Sequence, residues 1–386
     1  MILVVLGTLP YESHWQIGLM EAFARHHLVV YVAPDVGYAP ANAAGTRWDE
    51  LARSLASESS AGLVRVTLRA FWPGSRFHRI SQWNRWAGMR RLLRQLASHD
   101  HRETVLIVQS PHQLPTLRGL RARLRVYEVV DDYVSLAASR HQARHIGAAH
   151  RRMLSQCDVV LATSATLADD IRRTRPDVEE TTNGIEYETF SVARGAATAT
   201  PLDGIPRPRI GVIGKLNDRI DWELLGSICA EQPDWHIVAV GPLYQASERT
   251  TSAVRRLTAR PNFHLVAPVD REGLAPAIAA MDVCLIPYRL TKTGLAINPL
   301  KLYQYLAVGK PVVSSWLPQV ARFRDIVQCC DGAPSFVAAI TQALRDAPDE
   351  RACQTRQARA REFDWVTVAG QRLQHMTRRM AAAGPE

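Results

Sequence analysis

At 386 residues, with 47% hydrophobic and 22% charged residues, the chain has the composition of a folded protein with room for two ordinary domains. No apolar run approaches the roughly 18–20 residues of a membrane span, which excludes an integral helical membrane protein. The net charge of +10 is uneven: no acidic residue lies between Glu58 and Asp100, whereas eight arginines occur from Arg65 to Arg94. Such a basic surface favours polyanions: nucleic acid, anionic lipid or phosphorylated substrates.

The chain opens on an apolar run, 2–6, with no basic leader before it, so a first strand is expected rather than a signal peptide. Residues 15–26 have helical spacing, and 28–33 read as the next strand. Further strands are expected at 63–68, 105–109, 126–130 and 159–162, with a clear helix at 140–156. Alternating strands and helices of this kind predict a doubly wound parallel sheet. The Ala/Thr/Gly/Pro-rich segment 191–208 reads as a linker. A second alternation follows, with strands at 209–213, 236–240, 263–266, 283–286 and from 312. The predicted architecture is α/β: a domain over 1–190, a second over 209–362, and a C-terminal helix over 363–386 packing back on the first. The six cysteines (157, 229, 284, 329, 330, 353) show no metal-ligand spacing and read as reduced thiols of a cytosolic protein; no metal is expected.

The most informative stretch is 281–315. A strand ends at Pro287, and a second begins after Gly309. Between them Asn298-Pro299 reads as a helix start, with Asn capping free N–H groups and Pro in the first turn. The N-terminal end of such a capped helix, with unpaired N–H groups and partial positive charge at the carboxyl end of a parallel sheet, suits a phosphate. Lys301 and Gln304, at i and i+3, share one face: a cation for a diphosphate and an amide for a pair of hydroxyls. Gly214-Lys215 and Arg219, after strand 209–213, read as a phosphate-binding turn that is not a P-loop. Gly241 ends the next strand where backbone can approach a base, and Tyr288 is placed to pack on that base.

In the first half, Asp131 closes a strand where α/β folds place catalytic groups, and it can act as a general base or orient a sugar hydroxyl. His112 follows strand 105–109 in the same way. Within 71–96, Trp83, Trp86, Met89, Leu92, Leu93 and Leu96 mark an apolar side at helical spacing with Arg85, Arg90, Arg91 and Arg94 interleaved, a pattern suited to an anionic membrane interface or to the acceptor.

Several of these motifs resemble a known family. V-Y-E-V-V-D-D-Y (126–133), T-N-G-I-E (182–186), G-K-L-N-D-R-I-D (214–221), M-D-V-C-L-I-P-Y (281–288) and N-P-L-K-L-Y-Q-Y-L-A-V-G-K-P-V-V (298–313) look like family 4 type glycosyltransferases of the GT-B fold. The teichuronic-acid and exopolysaccharide branch is the nearest in pattern. The resemblance implies two Rossmann-like domains facing a cleft, with a UDP- or GDP-sugar donor bound by the second and a saccharide acceptor by the first. That acceptor is expected to be lipid-linked, of the polyprenyl kind, in bacterial surface polysaccharide synthesis at the inner face of the plasma membrane. No nucleic acid and no cofactor beyond the donor are implied. Lys215, Arg219 and Lys301 would hold the diphosphate, Gln304 the ribose, with Gly214, Gly241, Tyr288 and Asn298 around them. Two departures stand out: the family's Glu-x7-Glu positions are Ala296 and Gln304, and the N-terminal Gly-Gly loop is Gly7-Thr8-Leu9-Pro10. The Lys-x-x-Gln arrangement and Asp131 instead resemble the xanthan-pathway glucuronosyltransferase, an inverting enzyme with an Asp base. A soluble small-molecule acceptor, or a non-catalytic nucleotide-sugar-binding partner of a synthase complex, are the alternative readings.

Overall fold

The structure is a computed structural model that describes residues 1–8, 14, 16–33, 55–60, 62–68, 104–119, 121–195, 199–244, 246–347 and 349–382. It divides into two compact units, Met1–Thr182 with Val368–Glu386, and Asn183–Thr367. The segment read as a linker, 191–208, belongs to the second unit. The Trp/Arg stretch with Trp83, Trp86, Arg90, Arg91 and Arg94 lies outside the described residues.

The first unit is built on eight strands: β1 (Ile2–Leu6), β2 (Leu28–Ala33), β3 (Leu55–Ser60), β4 (Leu63–Leu68), β5 (Thr104–Val108), β6 (Leu124–Val129), β7 (Val159–Ala162) and β8 (Glu179–Glu180). Their order is β3-β4-β2-β1-β5-β6-β7-β8, all parallel except β3, which runs antiparallel to β4 at the edge. Sequence reasoning missed β3, whose L-A-S-E-S-S lacks the apolar run of a central strand. The central strands β1 and β5 are buried at every residue, as helices on both faces of a parallel sheet require. The first helix spans Ile17–Ala24, shorter at both ends than the 15–26 expected.

The second unit carries β9 (Arg209–Ile213), β10 (His236–Val240), β11 (Phe263–Val266), β12 (Val283–Ile286), β13 (Val312–Ser315) and β14 (Gln328–Cys330), all parallel. Their order, β11-β10-β9-β12-β13-β14, is the dinucleotide-fold order 3-2-1-4-5-6. The strand order reverses between β9 and β12, and the carboxyl ends of those two strands are where such a sheet opens a ligand crevice. The helix Leu300–Ala307 packs on Glu350–Arg361, while Trp222–Glu231 packs on Gly332–Asp346. Trp222, Tyr303 and Tyr305 are among the largest fully buried side chains. Among the described residues, no helix is long and apolar enough to cross a membrane.

Candidate functional site

The loops that leave β9, β10 and β12 are laced together at the reversal point of the second sheet. The chain turns at Gly214 (φ +116°) and at Gly241 (φ +139°), both in the left-handed region that favours glycine. Gly214 N–H donates to Val240 O at 3.0 Å, and a Cβ added to residue 241 would lie 2.0 Å from Gly214 O. Beyond the turn, Asp221 N–H donates to Pro287 O at 2.7 Å and Arg289 N–H to Arg219 O at 2.8 Å, which ties the Gly214–Arg219 loop to the end of β12.

Into this corner comes Lys301, from the first turn of Leu300–Ala307. Its side chain is only 8% exposed, and its Nζ lies 5.2 Å from the centre of the Tyr288 ring. The point where a Cβ on Gly214 would stand is 3.9 Å from the same Nζ. Among the described residues this ammonium has no hydrogen-bond partner. A buried ammonium without a partner costs several kcal/mol, a cost that a bound anion would relieve.

The helix end beside it is open. Pro299 is the cap residue and supplies no side-chain bond. This corrects the expectation that Asn298 caps the helix: its Oδ1 instead accepts the Tyr303 hydroxyl at 2.8 Å, and its carbonyl accepts Asn183 Nδ2 at 2.8 Å. Tyr305, from the same helix, accepts Ile213 N–H at 3.0 Å and so fixes the helix to the last residue of β9. Sequence reasoning missed both tyrosines, since an aromatic on a helix reads as packing until its hydroxyl is seen to have a partner.

The remaining predicted residues surround this core. Lys215 is exposed, with Nζ 4.4 Å from the centre of the Tyr244 ring, and partial burial there lowers its pKa. Arg219 is half-buried on the same loop, and Gln304 is half-buried one turn along the helix from Lys301. Gly214, Gly241, Tyr288 and Lys301 are thus brought into direct proximity, with two further cations on the Gly214 loop. The arrangement can hold a diphosphate.

The first unit places Asp131 and His112 beyond the carboxyl ends of the paired strands β6 and β5. Asp131 is half-buried, and its Oδ1 accepts the Asp132 N–H at 3.1 Å. His112 is exposed on a short turn, Pro111–Gln113. Gln113 Oε1 holds that turn by accepting the N–H groups of Gln109 (2.7 Å) and Ser110 (3.1 Å). The Tyr133 hydroxyl donates to Gln109 O at 2.8 Å and joins the two strand ends; burial first, and then the Asp131 carboxylate, push its pKa well above the ordinary value.

Beneath lies a buried polar cluster that the sequence did not reveal. Glu128 accepts from Gln16 Nε2 and Gln109 Nε2, both at 2.9 Å, and pairs with Arg372 at 2.7 Å. His14 Nδ1 accepts the Gln16 N–H at 3.2 Å, and its Nε2 meets Gln109 Oε1 at 3.0 Å. With both nitrogens committed, His14 is a structural residue rather than a free base. Nothing in sequence spacing links Arg372 to Glu128; only the fold does.

Known proteins share the fold of this chain. Residues 207–346 match the sequence profile of the family described as Glycosyl transferases group 1. A protein of Bacillus subtilis (strain 168) named as a teichuronic acid biosynthesis glycosyltransferase, TuaH, is 27% identical over 235 residues. That match covers 59% of this chain and 58% of the relative. Among solved structures, sucrose-phosphate synthase from Thermosynechococcus elongatus superposes with a TM-score of 0.74 at 17% identity, over 100% of both chains. HepE of Anabaena, in complex with UDP and glucose, gives 0.64 at 13% identity, over 97% of this chain and 99% of that one. An α,α-trehalose-phosphate synthase (UDP-forming) from Burkholderia xenovorans, with glucose-6-phosphate, gives 0.67 at 12% identity, again over 97% and 99%. The chain therefore has the GT-B fold of two parallel-sheet α/β units, and its residues 207–346 match the family Glycosyl transferases group 1.

Proposed function

We propose that this protein is a glycosyltransferase that moves a sugar from a UDP- or GDP-sugar to a saccharide acceptor. The observation that carries the reading is Lys301: a buried ammonium without a hydrogen-bond partner, at the reversal point of the second sheet, beside a glycine turn and an open helix end. That environment supports binding of the donor's diphosphate. As the bond from the sugar to the diphosphate breaks, negative charge grows on the leaving group. Lys301, with Lys215 and Arg219 on the facing loop, would stabilise it more in the transition state than in the ground state. These fixed cations supply the charge stabilisation without requiring a metal. Gln304 would bind the ribose hydroxyls, and Tyr288 would support the nucleotide from below.

In the first unit Asp131 would accept the proton of the attacking acceptor hydroxyl, and His112 would bind that acceptor. The likeness to a protein named for teichuronic acid biosynthesis supports a saccharide acceptor in surface polysaccharide assembly. The Arg65–Arg94 run, with Trp83 and Trp86 inside it, supports a lipid-linked acceptor presented at an anionic membrane.

Two experiments test these parts separately. Transfer of labelled sugar from UDP- or GDP-hexoses to a bacterial lipid-linked saccharide fraction is expected with the wild type and is abolished in Asp131→Asn. Full transfer by Asp131→Asn removes Asp131 as the base. Binding to liposomes containing anionic lipid is expected to fall when Arg90, Arg91 and Arg94 are all changed to Glu; unchanged binding refutes membrane docking through this stretch.

A further inference from the structure

We propose that His141 and His145 form a two-imidazole binding site for a transition-metal dication of the zinc, nickel or copper class. Both lie on the helix Arg140–Gln156, whose start is fixed by Ser139 Oγ accepting the Gln142 N–H at 3.2 Å. Residues at i and i+4 stand one above the other on a helix, and both of these side chains are exposed. Their rings meet edge to face, with centroids 4.4 Å apart, and the two Nε2 atoms are 3.1 Å apart.

That separation is the bite of a chelate. Imidazole nitrogens sit about 2.0–2.1 Å from such a metal, so two of them at angles from square to tetrahedral are roughly 2.9–3.4 Å apart. The two Nε2 atoms therefore already stand at the separation that one shared metal requires. At 3.1 Å one Nε2–H donates to the other Nε2; to bind a metal, the donating ring takes the tautomer that carries its proton on Nδ1, which leaves both Nε2 lone pairs for the ion and releases no proton.

The donor set also sets the selectivity. Neutral imidazoles suit zinc, nickel and copper, whereas magnesium and calcium need oxygen ligands. Among the described residues no group of three or more histidines, cysteines or carboxylates gathers anywhere, so the metal's other positions fall to water or an incoming donor atom. Arg140 and Arg144 share this exposed surface. Their repulsion of a dication is screened by salt, whereas the coordinate bonds are not. His150, on the same helix, does not compete, because its Nδ1 is engaged by the Tyr127 hydroxyl at 2.9 Å.

Calorimetric titration of the untagged full-length protein with zinc, nickel, copper and magnesium chlorides tests the site. The expected result is one zinc-class ion bound per chain and no magnesium. Alanine is well tolerated in a helix, so His141→Ala and His145→Ala are expected to fold. Each is expected to weaken binding by at least the roughly 10–100-fold seen when a metal site loses even an outer partner. His264→Gln, which alters the separate His236–His264 pair, is expected to bind as the wild type does. Absence of zinc-class binding, or affinity that survives in both alanine variants, overturns the proposal.

Discussion

Lys301 concentrates an electrostatic cost in a single residue. Its methylenes are buried in the second unit's core, and its ammonium is left without a hydrogen bond. Lys301→Met keeps the bulk and removes the charge. The unliganded variant is expected to be more stable by at least the roughly 1–3 kcal/mol that an unsatisfied buried group costs, since a charged group costs more, read by urea unfolding. A residue kept only for packing would give the opposite sign. Gly241 makes a second residue-scale prediction. A methyl group at 241 meets Gly214 O at 2.0 Å, and the backbone there has φ +139°. Gly241→Ala is therefore expected to destabilise by at least the roughly 1–3 kcal/mol of a strained backbone, and to disturb the Gly214 turn with it. Both positions were legible in the sequence, since a Gly at a strand end and a Lys in a first helical turn are chemically pointed. What could not be read was the reach of the side chains. Asn298 looked like a cap and is instead the partner of Tyr303, and no sequence spacing foretold that the Tyr288 ring lies beside the Lys301 ammonium.

At the scale of elements, the strands and helices of the second unit follow from their sequence periods, but their mutual fixing depends on tertiary hydrogen bonds. Tyr305 joins Leu300–Ala307 to β9 by accepting a buried N–H. Tyr305→Phe orphans the Ile213 N–H, at an expected cost of about 1–3 kcal/mol, and lets the helix that carries Lys301 shift. Thermal unfolding should show the loss, and a nucleotide affinity lowered in parallel would show that the helix position matters. In the first unit, the helix Arg140–Gln156 is held through His150, bonded to the Tyr127 hydroxyl. Burial lowers the His150 pKa, against a smaller opposing pull from Asp132. The unfolded chain therefore takes up the proton more readily than the folded one. Stability of this unit should fall as pH drops below about 6.5, the ordinary histidine value, and His150→Gln should flatten that slope. Nothing in the helix's sequence distinguishes His150 from its exposed neighbours His141 and His145. The distinction comes from which face meets β6.

For the whole molecule, chain order and unit membership differ. Residues 368–386 follow the second unit in sequence but belong to the first, where Arg372 pairs with Glu128 and bonds Thr181 Oγ1 at 3.0 Å and Thr182 O at 2.8 Å. Removing one member of a buried ion pair costs about 3–5 kcal/mol, because the other is left charged and dry. A chain ending at Thr367 is accordingly expected to lose most of the first unit's stability while the second still binds nucleotide. Two separated unfolding transitions, of which only the lower moves, would show it. Two parallel α/β sheets could be predicted from alternating strands and helices, because that pattern is local. The buried Gln16–Gln109–Glu128–Arg372 cluster could not, because its members meet only once the first sheet and the final helix are both formed.

The role proposed for Lys301 is to hold the diphosphate of a nucleotide donor. Its most direct test compares, by calorimetry, the affinities of UDP and uridine, and of GDP and guanosine, for the wild type and for Lys301→Met. One diphosphate is expected to bind the wild type far more tightly than its nucleoside, and the variant is expected to lose most of that advantage while its affinity for the nucleoside hardly changes. An advantage for the diphosphate that is equally large in Lys301→Met would show that Lys301 does not hold it.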